Sequence, residues 1–369
     1  MSRGKGLLNL LIPVVVLALL MPVAEIIVRI VKPQQLPSQE FLRQHVVKDM
    51  YVEDADAGYR LAPNFTGRIE RSGIVTDFTT NSLGMRGDEP GPKNCLRVLG
   101  LGDSYTFGWG VQAGEEWIHV VGTELNRRHG DGTVQSLNGG VNGYGTVGAL
   151  HALRRLGPEL QPDVVLVGFF ANDFTDNLLG PEIFEVRDGY LFDRFSADYF
   201  EESFLARESH LFRLGSRAWE TARVKYFGGV PTTRAVKNFS EEDFQKGSDL
   251  SEQYFREMQA VCDEIGAKFG VVWLPADVYA LSGSQPEDIP VRHALQERVA
   301  EAGIASVDLL PVALREGRRS GLYLLPADGH LSARGNRVMG RAVARWVEEQ
   351  GWVGNTPAES PADPAASES

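Results

Sequence analysis

Between residues 96 and 350, short apolar runs alternate with amphipathic stretches. "LRVLGL", "TVQSLN", "DVVLVGFF", "FGVVWL" and "ASVDL" are the strand candidates, the third and fourth nearly continuously apolar. Strands of a parallel sheet read this way, because both of their faces are covered. Between them, residues 113–129, 146–157, 249–267 and 290–302 have helical spacing. A last helix is predicted over "ARGNRVMGRAVARWVEEQ", where Val338, Ala342 and Trp346 stand at i, i+4 and i+8. Ser332 is its expected N-cap. Strand and helix alternating in this manner predict an α/β domain over 96–353, a parallel sheet covered by helices.

The pattern changes outside that domain. "GLLNLLIPVVVLALLMPVA", Gly6 to Ala24, is uncharged and is followed by "EIIVRIV". Together these match the ~20 residues that cross a bilayer core. Pro22 and Ala24 fit a cleavage site poorly, so residues 1–32 are expected to be an uncleaved membrane anchor rather than a signal peptide or a buried core helix. Arg3 and Lys5 before the run bias the N-terminus inward, which places the rest of the chain outside the cytoplasmic membrane. Residues 33–95 are expected as an extension, a polar stalk to about 57 and then a β-hairpin over "GYRLAPNFTGRIERSGIVTDFTTNSLGMRG". An insertion at about 177–247, with "ESFLARESHLFRLGSRAWETARVKYF" helical, is expected to cap the active face. The acidic, apolar-poor residues 354–369 are expected to be a disordered tail.

Composition narrows the partners. A net charge of −12 without a basic cluster argues against nucleic acid. Two cysteines, Cys95 and Cys262, give neither a disulfide framework nor a cysteine zinc site, and both are expected to be small buried side chains.

Four stretches carry candidate chemistry. In "LGLGDSYTFGWG", Ser104 follows a strand, at the sheet edge where open α/β folds bind ligands. The loop lacks the third glycine of a dinucleotide fingerprint, the Gly-Lys of a P-loop and the second glycine of a G-x-S-x-G elbow. Ser104 is therefore a nucleophile or a turn former. "LNGGVNGYGT" offers Gly143, whose N–H could point outward or sit in an ordinary loop. "FFANDF" ends a strand in Asn172 and Asp173, as an oxyanion donor and a cap. Asp173 and Asp176 are read as capping groups rather than metal ligands, since no histidine is near. In "LPADGHLSARGN", His330 has Asp328 two residues upstream, a setting the other six histidines lack. Tyr105, Trp109 and Tyr144 are either an exposed sugar platform or core and rim aromatics.

In order and in their place at strand ends these four stretches resemble the SGNH, or GDSL-type, hydrolase family of serine esterases, lipases and acyltransferases, across residues 96–350. Phe170 stands where the family usually has glycine, and Asp328 precedes His330 by two residues rather than three. The resemblance implies a flavodoxin-like three-layer α/β/α sandwich with a mainly parallel five-stranded sheet. It implies Ser104 as nucleophile, His330 as base and Asp328 as its orienting partner. The oxyanion donors would be the N–H groups of Ser104 and Gly143 and the amide of Asn172. No metal or other cofactor is required. The expected activity is cleavage of an ester on an O-acylated small molecule or an envelope or exported saccharide. O-acyl transfer to a saccharide and a non-catalytic glycan- or protein-binding module are the alternatives.

Overall fold

The structure, a computed structural model, describes residues 16, 19–34, 47–71, 73–180, 184–187, 189–193, 204–227, 239–285, 289–317 and 321–353. The tail expected over 354–369 and most of the Gly6–Ala24 run lie outside these residues. Residues 19–31 are helical, and no helix among the described residues is long and apolar enough to cross a membrane.

The central sheet is formed by β5 (Leu96–Gly102), β6 (Val134–Asn138), β7 (Val164–Phe169), β10 (Lys268–Trp273) and β11 (Ala305–Asp308). Its order is β11-β10-β7-β5-β6 and every neighbouring pair is parallel. Starting from β5, the second strand lies outside the first and the other three follow on the opposite side, the flavodoxin-like order. The apolar runs follow from two-sided burial. Val164 and Leu166 of β7 enter one apolar layer while Val165, Val167 and Phe169 enter the other. Successive side chains of a strand point to opposite faces, so a sheet covered twice needs apolar residues at every position.

On one face lie α2 (Trp117–His129) and α11 (Ala333–Glu349), and on the other α3 (Thr146–Leu160), α7 (Glu241–Ile265) and α9 (Pro290–Glu301). The buried stripe of α11 is Met339, Val343 and Val347, one position past the predicted stripe. Val338 and Ala342 are half-buried, and only Trp346 of the predicted three is buried. Ser332 caps this helix as expected, accepting the Gly335 N–H at 3.1 Å. Helix α7 starts at Glu241 rather than 249 because Ser240 and Asp243 form a reciprocal capping box. It belongs to the core through Phe255, Met258 and Cys262, and its residues 241–247 fall within the segment expected as the insertion. Cys262 is buried, whereas Cys95 is half-exposed.

The residues before β5 are not simply a stalk and one hairpin. Tyr51–Asp54 (β1) and Gly58–Leu61 (β2) pair antiparallel, as do Thr66–Arg71 (β3) and Ile74–Thr79 (β4). Tyr51 and Tyr59 are buried against the loop after β6. In the insertion, Phe184–Arg187 (β8) and Tyr190–Asp193 (β9) form a further hairpin, followed by the helices Phe204–Glu208 and His210–Phe227. Phe184 packs edge-on against Tyr59 at 5.5 Å. The helices instead bond to Glu25 and Arg29 of the N-terminal helix, so what reaches the catalytic loops among the described insertion residues is the hairpin.

Candidate active site

β5 ends in Gly102, whose φ of +140° turns the chain sharply into the short helix α1 (Ser104–Phe107). A Cβ there would sit 2.6 Å from the Thr106 hydroxyl and 2.7 Å from the Gly168 carbonyl, so only glycine fits. Asp103 caps α1 by accepting the Tyr105 N–H at 2.9 Å. Around it everything from Leu101 to Trp109 is buried except Ser104. Ser104 is thus the one position of this turn that faces outward.

His330 arrives from the loop ahead of α11, more than two hundred residues later, and its Nε2 lies 2.7 Å from the Ser104 Oγ. Its Nδ1 bonds the Asp328 carboxylate, and its backbone N–H donates to the same carboxylate oxygen at 2.9 Å. The two-residue spacing therefore closes a compact loop in which one oxygen holds both the ring and the backbone of His330. Tyr105 steadies the loop by donating its hydroxyl to the Gly329 carbonyl at 2.9 Å. Its ring stacks on that of Phe170 (3.8 Å between centroids) and approaches that of His330 (4.6 Å). The large residue in place of glycine at 170 thus backs Tyr105, the ring that approaches the imidazole. Tyr105, Trp109 and Tyr144 are all buried, which removes the exposed-platform reading for them.

Gly143 is the half-buried exception in a buried loop and has φ +80°. A Cβ would meet Phe184 at 2.7 Å and the Tyr59 hydroxyl at 2.8 Å. Tyr59 also donates to the Asn142 carbonyl at 2.8 Å, and Asn142 donates to the Tyr51 hydroxyl. The N-terminal hairpin thereby fixes the backbone that carries Gly143. Neither the Ser104 nor the Gly143 N–H donates to any described residue.

Asn172 opens α4 (Asp173–Leu179) but does not cap it with its side chain. Its amide donates to Asp176 at 2.6 Å and lies beside the Asp103 carboxylate. Asp173 is neither a helix cap nor a candidate ligand. Its carboxylate accepts the Phe170 N–H at 2.7 Å and the Thr146 hydroxyl at 3.0 Å, tying β7 to the start of α3. Burial pushes its pKa well above the usual carboxylate range, and the nearby Asp103 charge adds to the shift.

Three features carry no local sequence signal. Asp103 is buried, and that burial raises it to about 6 against the opposing Tyr105 N–H, His330 and Asn172. Asp277, at the start of α8 (Asp277–Ser282), is also raised to about 6 by burial, with the Val278 N–H and His330 opposing and Asp328 adding. Its carboxylate lies against Gly329, 3.1 Å from where a Cβ would be. Arg86, buried in the segment before β5, donates to the carbonyls of Phe107, Gly108 and Val111 and pairs with buried Glu116 at 2.8 Å. It holds the loop that follows Ser104.

The sequence profile of the GDSL-like lipase/acylhydrolase family matches residues 101–338, a span that contains all of these groups except Arg86 and the N-terminal hairpins. The chain belongs to this family. It is an ester-bond hydrolase. No curated protein matches the chain significantly. Among solved structures it is similar to a lipolytic G-D-S-L family protein from Veillonella parvula, at 11% identity over 68% of this chain and 97% of that one, TM-score 0.40. It is also similar to an acetyl xylan esterase, at 13% identity over 69% and 99%, TM-score 0.40. A two-domain esterase active on acetylated mannans matches at 13% identity over 69% and 49%, TM-score 0.41.

Proposed function

We propose that the chain is a membrane-anchored serine esterase that removes an acyl group from an O-acylated saccharide outside the cytoplasmic membrane, through an acyl-Ser104 intermediate. The observation that carries the reading is the continuous line from the Ser104 Oγ through the His330 imidazole to the Asp328 carboxylate.

In the first step the Ser104 Oγ attacks the ester carbonyl while His330 Nε2 takes its proton. The imidazolium is stabilised by Asp328, which keeps Nδ1 protonated. The carbonyl oxygen becomes an oxyanion that takes the Ser104 and Gly143 N–H groups as donors, and the Asn172 amide as third donor when it turns from Asp176. Neutral His330 is regenerated when its proton passes to the departing alcohol oxygen. Water, activated by the same imidazole, then attacks the acyl-serine and releases the acid. Each oxyanion donor is worth on the order of 10²–10³ in rate.

The anchor and the outward location rest on the uncharged Gly6–Ala24 run and on the basic residues ahead of it. The saccharide assignment rests on that location. Turnover of acetyl and butyryl p-nitrophenyl esters by the full chain in detergent, beside Ser104→Ala, tests the chemistry. Hydrolysis abolished by the substitution, with an acyl adduct trapped on Ser104, is expected. Equal turnover in the variant would end the reading. An adduct cleared only when a saccharide is added would identify transfer rather than hydrolysis.

A further inference from the structure

The helices Phe204–Glu208 (α5) and His210–Phe227 (α6) expose large apolar side chains. A surface helix in water turns its charged residues out and its apolar stripe in. Here, among the described side chains of α6, the buried one is Arg213, whose guanidinium donates to the carbonyls of Ala206 at 2.7 Å and Arg207 at 3.0 Å, joining the two helices. The outward face of α6 carries Phe212 and Trp219, two turns apart, with exposed Gly215 and Ser216 between them. Trp219 is 62% exposed, and Phe204 and Leu205 on α5 are 68% and 54% exposed.

This pair is fastened to the N-terminal helix. Glu25 accepts from the Ser209 hydroxyl at 2.7 Å and from the His210 and Leu211 N–H groups at 2.9 Å, the first turn of α6. Arg29 pairs with Glu25 and donates to the Glu208 carbonyl. These contacts begin one residue after Ala24, where the uncharged run ends. If that run enters the bilayer, the headgroup region lies beside α5 and α6.

We propose that α5 and α6 lie on the bilayer surface, with Phe204, Leu205, Phe212 and Trp219 inserted among the headgroups and upper acyl chains. The inference rests on the anchor reading above. Besides the buried Arg213, the sequence of residues 204–227 holds four Arg and Lys (207, 217, 223, 225) against two Glu (208, 220) in a chain of net charge −12, a composition that attracts anionic lipid. Tryptophan at such a boundary keeps its ring in the apolar zone and its N–H in the wet one. The two helices then hold the catalytic domain at a fixed height above the membrane.

The test uses the full chain reconstituted in phosphatidylglycerol-containing vesicles, with lipid brominated near the glycerol or near the chain end. The emission lost in Trp219→Phe defines the Trp219 signal, and ester turnover by both proteins confirms that they are folded. The Trp219 signal is expected to be quenched about twofold or more by the shallow bromines relative to the deep ones, as burial of 5–10 Å requires. Chain that floats with the vesicles but shows no Trp219 quenching would overturn this inference and leave the anchor standing. Chain that does not float would overturn both. Equal quenching at both depths would also overturn the surface placement.

Discussion

At the scale of single residues, the site depends on which carboxylate carries charge. Asp328 receives both the ring and the backbone of His330, so its loss removes orientation as well as charge. Asp328→Asn is expected to lower kcat by about 10³–10⁴ with little change in the melting temperature, because the amide favours the wrong imidazole tautomer. Steady-state kinetics beside thermal unfolding check this. A drop of less than tenfold would remove Asp328 from the mechanism. Asp277 behaves differently. Burial raises its folded-state pKa from 3.8 to about 6, so the folded protein holds this proton more tightly than the unfolded chain does. Stability from Asp277 is therefore full below about pH 4 and is lost as pH rises through about 6, amounting to roughly 3 kcal/mol for two pKa units. Asp103 loses stability over the same window. Asp277→Asn should flatten the fall in melting temperature between pH 4 and 8 by several degrees. An unchanged pH slope in calorimetry would show that Asp277 does not titrate in this way.

At the scale of elements, Arg86 links three pieces distant in sequence: the segment after β4, the turn that carries Ser104, and Glu116 ahead of α2. Arg86→Met removes three donors and strands a buried carboxylate, at a cost of about 3–5 kcal/mol. The melting temperature should drop, and Glu116→Gln in the same chain should restore part of it, a coupling readable in a double-mutant cycle. Strict additivity of the two substitutions would contradict the clamp. No sequence pattern announces Arg86, because its partners are backbone carbonyls, which every residue has. The five central strands were legible for the opposite reason. The inner strands β5, β7 and β10 are apolar almost throughout, as two-sided burial demands, with Arg97 and Lys268 near their starts. Ser104, Gly143, Asn172 and His330 were legible as types at strand and helix ends, and the sheet order brings those ends to one edge. The hairpin β1–β2 was not legible, since four-residue strands carry too little periodicity and Tyr51 and Tyr59 find partners beyond residue 140. The buried stripe of α11 lies one position past Val338, Ala342 and Trp346, with Gly340 packed closely against Trp117 and Val120 of α2 beside buried Met339 and Val343.

At the scale of the whole molecule, the chemistry and the attachment are separate. The four sequence blocks lie on the α/β core, whereas Glu25, Arg29 and the helices α5 and α6 form a second cluster that shares no residue with the Ser104 site. Glu25 joins two parts of the chain nearly two hundred residues apart by accepting three hydrogen bonds at the first turn of α6, each worth about 1 kcal/mol net and more when the acceptor is charged. Removing it leaves those N–H groups unpaired and frees α6 to open locally while the core stays closed. Glu25→Ala should therefore speed tryptic cleavage at Arg207 and at Arg213, whose side chain depends on the junction of α5 and α6. Ester turnover by the intact protein should remain within twofold of wild type, since among the described residues no hydrogen bond joins the Ser104–His330–Asp328 line to Glu25, Arg29, α5 or α6, a factor of two being about 0.4 kcal/mol of barrier. Limited proteolysis followed by mass mapping, run beside the kinetic assay, reads both quantities on one sample. Faster cleavage accompanied by lost turnover would mean that the attachment cluster and the catalytic core are coupled, and unchanged cleavage would mean that Glu25 does not hold α6 in place.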